Sequence, residues 1–225
     1  LKTNNLISIS KIAFIEGTKG SFFQFNKFYN FNHNEIYDLL TVSEYIGNLK
    51  TKILKSIDAE IPKDLENLME KLINQKGNLK IPISFAHGDC VHHNSIRSSN
   101  KNYLYDLEFY DKKKILFYDF FHWYTLPYIY RIYKLGETKF LIKLFPVYFY
   151  FIKKYCFHKF IKKNKSLKNI DINLHFEIFM IERMLYFLKQ FKLDNFENLM
   201  AENEISFNYK IYNLLNKLLI KISNN

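Results

Sequence analysis

The chain has 225 residues, a formal net charge of +11, and 48% apolar and 18% aromatic residues; it can bury a substantial core in one domain or two small ones, and it is neither disordered nor of low complexity. Its positive charge is almost wholly lysine, since Arg97, Arg131 and Arg183 are the only arginines, and the joint abundance of Lys, Asn, Ile, Phe and Tyr reads as a composition bias, with an anionic partner as the other reading. Two cysteines, Cys90 and Cys156, make neither a disulfide framework nor a CxxC metal site.

In chain order, residues 6 to 28 predict a β-hairpin, "ISISKIAFI" and "SFFQFNKF" joined by a turn at "EGTKG". Residues 34 to 57 suit a helix, with Ile36, Leu39, Leu40, Tyr45, Ile46, Leu49, Ile53 and Ile57 near helical spacing. A second helix, "PKDLENLMEKLINQKG", carries Leu65, Leu68 and Leu72 on one stripe and stops at Gly77. "KIPISF" alternates Ile81, Ile83 and Phe85 and predicts a short strand; "NSIRSSNKNYLYDLEFY" predicts a second hairpin. From about Ile115 onward the pattern is helical and aromatic, clearest over 173 to 191 and 207 to 222, whose apolar stripes predict core. The longest apolar run, "FLIKLFPVYFYFI" over 140 to 152, is too short to span a bilayer and contains Lys143 and Pro146. No signal peptide opens the chain, so a cytoplasmic protein is expected. It begins with Leu1 in place of Met, which we read as a sign of a fragment or a processed piece.

Between the predicted strand and the second hairpin lies "HGDCVHHN", residues 87 to 94, with three of the seven histidines. A hairpin turn centred on Asn100 would pair residues whose numbers sum to 200, so that Asn94 faces Asp106, with Cβ atoms roughly 4.5–5.5 Å apart. An Asn and an Asp side by side, with Asp89 at the mouth of the loop, form an oxygen-rich site suited to Mg²⁺. An Asp five residues before a metal-binding Asn is also the spacing of a protein-kinase catalytic loop, with a second metal-binding Asp on a following strand. Phosphoryl transfer needs a positioned nucleophile and neutralised phosphate charge more than covalent chemistry.

These residues, His87, Gly88, Asp89, Asn94, Asp106 and Glu108, followed by "FYDFFHWY", resemble the aminoglycoside phosphotransferase and choline kinase family, small-molecule kinases of protein-kinase-like fold. The arrangement looks most like the kinase-like proteins of bacterial surface-polysaccharide synthesis. The resemblance covers residues 81 to 125 closely and the helical remainder only generally. It implies an α+β, mostly α chain: a protein-kinase-like C-terminal lobe over 31–225 with a short catalytic β-hairpin, and a truncated nucleotide lobe and hinge over 1–30. It implies Asp89 as catalytic base toward a substrate hydroxyl and Asn94 and Asp106 as Mg²⁺ ligands on the phosphates of ATP. Glu108 would serve the metal shell or the substrate. His87 would brace the loop, and Asp119 would anchor it from the helix behind. The acceptor would be a small molecule with a hydroxyl, a sugar or amino alcohol, packed on aromatic faces; His92, His93, Trp123 and Tyr124 are the candidates for that pocket.

The match fails at the nucleotide lobe. "EGTKG" is a single G-x-x-G, better read as a hairpin turn than a phosphate loop, and no Lys–Glu pair can be assigned. A pseudokinase or truncated scaffold of the same fold is therefore the alternative. A lesser rival takes His87, Asp89, His92 and His93 as ligands of a metal-dependent hydrolase; another takes Cys90 as a thiol nucleophile, though its certain neighbour is an acid. "KKYCFHKFIKKNKSLK", 153 to 168, interleaves seven lysines with aromatics as membrane-surface helices do, so contact with the inner face of the membrane is a further expectation. Nucleic acid is not expected, because scattered lysines without arginine clusters are a poor footprint.

Overall fold

A computed structural model describes residues 18–19, 36–55, 60–98, 101–106, 109–136, 139–163, 167, 169–197 and 207–223. Of the hairpin expected over 6–28, only β1 (Thr18–Lys19) lies among them, together with the only described part of the expected N-terminal lobe remnant. It pairs with a later strand, so two residues of "EGTKG" take extended pairing where a turn is expected.

Strand β2 (Ile36–Thr41) and helix α1 (Val42–Leu54) replace the single helix expected over 34 to 57. Ile36, Leu39 and Leu40 fit helical spacing, yet they pair with a third strand, and Leu39 ends up more than half exposed. The boundary has a local cause. Thr41 and Glu44 form a capping box, the Thr41 N–H donating to Glu44 Oε2 at 2.7 Å and the Glu44 N–H to Thr41 Oγ1 at 3.1 Å. Helix α2 (Lys63–Lys76) follows as expected and buries Leu65, Met69 and Leu72.

Strand β3 (Lys80–Ala86) lies between β2 and β6 (Asp111–Ile115) in an antiparallel sheet of order β2-β3-β6. As a central strand it is covered on both faces, so Ile81, Pro82, Ile83 and Ser84 are all buried and the expected one-sided alternation is lost. It runs straight into His87. After a 3₁₀ turn (His92–Asn94), β4 (Ser95–Ser98) and β5 (Lys101–Leu104) form the second hairpin, and β1 lies on the far edge of β4.

The remainder is helical: α3 (Tyr118–Lys134), α4 (Lys139–Phe151), a π-helical segment (Ile152–Phe157), α5 (His158–Lys163), α6 (Ile172–Glu197) and α7 (Phe207–Ser223). The α+β, mainly helical class expected is the class observed. Helix α6 is the hub, packing on α1, α2, α3, α7 and β6. Of its expected stripe, Phe176, Phe179, Met180, Met184, Phe187 and Leu188 are buried and Phe191 is half-buried, and Ile178, Ile181 and Leu185 on its other faces are buried too. Full burial of each such side chain contributes about 1.5–3 kcal/mol.

Candidate functional site

Asp119 organises the loop. It sits in the first turn of α3 with 1% of its surface exposed. Its Oδ2 accepts the His87 N–H at 2.7 Å and its Oδ1 the Gly88 N–H at 3.0 Å, and the positive end of the α3 dipole favours its charge. Burial pushes this carboxyl above the usual carboxylate range, while the two N–H donors pull the other way. Gly88 has φ +84°, and a Cβ there would meet the Phe109 carbonyl oxygen at 2.1 Å, so only glycine fits.

The His87 ring ties the loop to the hairpin. Its Nε2 lies 2.8 Å from the Tyr105 carbonyl oxygen and its Nδ1 accepts the Asp89 N–H at a long 3.4 Å. A carbonyl on one side and an N–H on the other place the ring proton on Nε2. The buried Asn94 side chain donates through Nδ2 to the Asp89 carbonyl oxygen at 3.0 Å and to Asp89 Oδ2 at 2.7 Å. Both partners accept, which fixes the amide orientation and leaves Asn94 Oδ1 uncommitted among the described residues.

The hairpin register differs from expectation by one residue. Ser95 pairs with Leu104 and Ile96 with Tyr103, so numbers sum to 199: two residues separate the strands where three were expected. Asn94 therefore faces Tyr105, whose N–H donates to the Asn94 carbonyl oxygen at 3.1 Å. Asp106 follows one position on, exposed and at φ +65°, a left-handed conformation Asp tolerates better than most side chains. Glu108 lies outside the described residues.

Two pocket assignments are corrected. Trp123 is 0% and Tyr124 4% exposed, within a stretch buried continuously from Ile115 to Leu126, so neither can meet an acceptor. Trp123 packs against the half-buried His92 ring at 4.5 Å, while Tyr124 packs on Phe120 at 4.8 Å. His93 is exposed, and its carbonyl accepts the Tyr105 hydroxyl. These orientations also separate the proposed hydrolase ligands, and among the described residues no group of three His, Cys, Asp or Glu side chains could hold a metal ion. Cys90 is fully buried, and burial, with Asp119 and Asp89 beside it, pushes its thiol well up, away from the thiolate a nucleophile requires.

The cavity at Asp89 has other walls. About 220 Å³ of space is bounded by Asp89, Gly88, Tyr130, Arg183, Tyr186 and Phe207, among others. A larger space of about 600 Å³ adjoins it between α1, β6 and α6, sharing Gly88, Phe109, Arg183 and Tyr186. There Glu182 accepts from Lys114 and from the Tyr45 hydroxyl, the latter at 2.7 Å, tying β6 and α1 to α6. His122 is fully buried with Nε2 3.7 Å from Asp89 Oδ1. Burial, reinforced by Arg183, pulls it well below the ordinary imidazole range, so the contact joins a neutral ring to the carboxylate. His122 and Arg183 are absent from the sequence-based candidates. The available signal was a polar side chain inside an apolar run, His122 in "FFHWY" of α3 and Arg183 beside Glu182 in "MIERML" of α6.

The chain matches no family model, no curated protein and no solved structure.

Proposed function

We propose that this chain is the helical lobe of a protein-kinase-like phosphotransferase, moving the γ-phosphoryl group of ATP to a hydroxyl on a sugar or amino alcohol, such as a surface-glycan precursor. The observation that carries the reading is the clamp on residues 87–94. One buried carboxylate, Asp119, holds the loop backbone, and His87 joins it to the residue before Asp106. Asp89, Asn94 and Asp106 are thereby carried on two connected segments in the order phosphoryl transfer uses. Thr18 and Lys19 pair with Arg97 and Ile96, beside the hairpin in the same sheet.

The donor types suit Mg²⁺, although Asn94 faces Tyr105 and Asp106 lies one position further on. Among the described residues Asn94 has an uncommitted amide oxygen and Asp106 an exposed carboxylate, and both are hard ligands of the kind that ion takes beside phosphate oxygens and water. Bound there, Mg²⁺ would neutralise phosphate charge. Asp89, with Oδ2 held by Asn94 and its carboxylate at the cavity wall, would orient the acceptor hydroxyl and take its proton.

The test is calorimetric titration of the chain with ATP, with and without Mg²⁺, beside Asp106→Ala. Metal-dependent binding that Asp106→Ala loses is expected, and Asp89→Asn should bind Mg·ATP normally yet transfer nothing. Absence of metal-dependent binding would favour the scaffold reading instead.

Membrane contact is the second part of this reading, on a separate observation. Phe140, Leu144, Val147, Phe151 and Tyr155 follow one face of α4 and the π-helical segment, with Phe140 67% and Val147 64% exposed. Lys143 and Lys154 are exposed on the same two elements, and Lys159 and Lys162 on α5 just after them. This stripe begins before the segment 153–168, where Cys156 and Phe157 face inward. Among the described residues no helix is long and apolar enough to cross a membrane, and the stripe suits an anionic lipid surface instead. Sedimentation with phosphatidylglycerol vesicles but not phosphatidylcholine vesicles, weakened by Phe140→Ser with Val147→Ser, is the expected result; equal binding to both would oppose it.

A further inference from the structure

Arg183 is the least expected charge in the molecule. It lies on the hub helix α6 with 6% of its surface exposed. Its Nη1 donates to the Tyr118 hydroxyl at a long 3.4 Å, and its Nε is buried without a hydrogen-bond partner. The guanidinium lies over Tyr186 at 4.4 Å and Phe187 at 4.9 Å. Among the described residues no carboxylate forms an ion pair with it: the adjacent Glu182 is taken by Lys114 and Tyr45, and Asp89 lines the same cavity without pairing. Burying a cation without a counter-charge is expensive, and aromatic faces offset only part of that cost. Arg183 lines both cavities, and this puts it within reach of a ligand that enters them.

The geometry points to Arg183 as the receptor for an anionic group, a carboxylate or phosphate, on the acceptor whose hydroxyl Asp89 addresses. This inference rests on the phosphotransferase reading and narrows its substrate class. An acidic sugar, sugar phosphate or hydroxy acid fits the Asp89 cavity, and an amino alcohol, whose cation would face Arg183, does not. A guanidinium fork binds either oxyanion bidentately, while Tyr130 and Tyr186 line the same cavity for the carbon skeleton. The anion is not assigned to the nucleotide, because neither Asn94 nor Asp106 lines the cavities that Arg183 borders. Arg183 is a substrate-positioning residue here, since it holds the end of the acceptor that does not react.

The experiment separates the two readings by measuring anion binding without nucleotide. Inorganic phosphate and acetate are titrated calorimetrically into the whole chain at constant ionic strength, beside Arg183→Lys and Arg183→Gln. Saturable binding of one of them is expected, weakened at least about tenfold by Arg183→Lys, which keeps the charge and loses the fork. The Lys variant carries the test if the Gln variant does not fold. Phosphate or acetate binding alone tells which oxyanion the site prefers. Failure of both to bind the wild type, or equal binding to wild type and Arg183→Lys, overturns the inference and leaves Mg·ATP binding unaffected. Arg183-dependent anion binding in a chain that binds no Mg·ATP keeps the anion site and overturns the kinase reading. With Mg·ATP bound, glucuronate or glucose 6-phosphate should be phosphorylated at least about tenfold faster than glucose, and preference for glucose would also overturn the inference.

Discussion

The loop from His87 to Asn94 and the helical body that carries it are held together by opposite means. In the loop the polar fixed points are single directional contacts, two backbone N–H groups on Asp119, one ring nitrogen on the Tyr105 carbonyl and one amide on Asp89, beside the apolar seating of Cys90 and of the His92 ring on Trp123. In the body the fixed points are rings packed on several neighbours, as where Phe176 meets Phe121 at 5.3 Å and Phe149 at 4.1 Å. Directional contacts position atoms closely but fail singly, whereas ring packing spreads its energy and sets atoms less tightly. The two regimes join in α3, where Asp119 lies two residues before Phe121.

Asp119→Ala should have the largest effect, because it removes the buried side chain that ties the loop backbone to α3. It leaves two buried N–H groups without acceptors, at about 1–3 kcal/mol each, and frees the loop; a misplacement near 1 Å costs about 10²-fold in rate. Denaturation and phosphoryl-transfer assays should both fall. A variant that lost only stability would show that the loop keeps its shape without the anchor. Phe176→Ala should sharpen the contrast, with about 3–5 kcal/mol of stability lost and near-normal Mg·ATP affinity in the fraction that stays folded. Coupled loss of binding at full folding would mean that the two regions are not separable.

A polar group lodged in the aromatic body is tested by acid. His175 is buried, near the Phe117 ring at 5.7 Å, with Nδ1 2.8 Å from the Asp171 carbonyl oxygen and Nε2 without a partner. Burial pulls it down to about 4 from an ordinary 6.5. Since the folded value lies below the unfolded one, the unfolded chain takes the proton first. Stability from neutral His175 is complete above pH 6.5 and declines as pH falls toward 4, on the order of 3 kcal/mol in all. His122 is shifted in the same direction and adds to the slope. Denaturant midpoints at pH 7.5 and 4.5 should show the loss, and His175→Leu should flatten it; an unchanged slope in that variant would refute the assignment.

What the sequence made legible follows the same division. The loop could be read because its chemistry is local, with Asp89 and Asn94 five residues apart, and the core helices because their apolar periods repeat. Pairings decided at a distance could not. Ile36–Thr41 has helical spacing but is claimed by β3, and "DKKKI" has no apolar alternation yet pairs along the other side of β3. The capping box at Thr41 and Glu44 was the local clue to the first of these. Trp123 and Tyr124 were assigned to the pocket by residue type, and only packing shows that their helix is buried throughout. Arg183 carried a fainter signal, an arginine in an apolar helix of a lysine-rich chain, and only packing shows that none of the described carboxylates forms an ion pair with it.

The smallest effect tests whether the loop's contacts are unequal. Tyr105 makes three links: its N–H to the Asn94 carbonyl, its carbonyl to His87, and its hydroxyl to the His93 carbonyl. Tyr105→Phe removes only the third, which is exposed to water and so contributes at most about 0.5–1 kcal/mol. Both backbone links survive, so the segment leading to Asp106 should stay in register. Transfer should slow only about two- to fivefold, the rate equivalent of that energy, while Mg·ATP affinity holds. Hydrogen exchange over His92–Asn94 should quicken without quickening at His87 and Gly88, whose N–H groups are held by Asp119. If Tyr105→Phe were as damaging as Asp119→Ala, the loop would be one cooperative unit, and the ranking of its anchors by burial would be wrong.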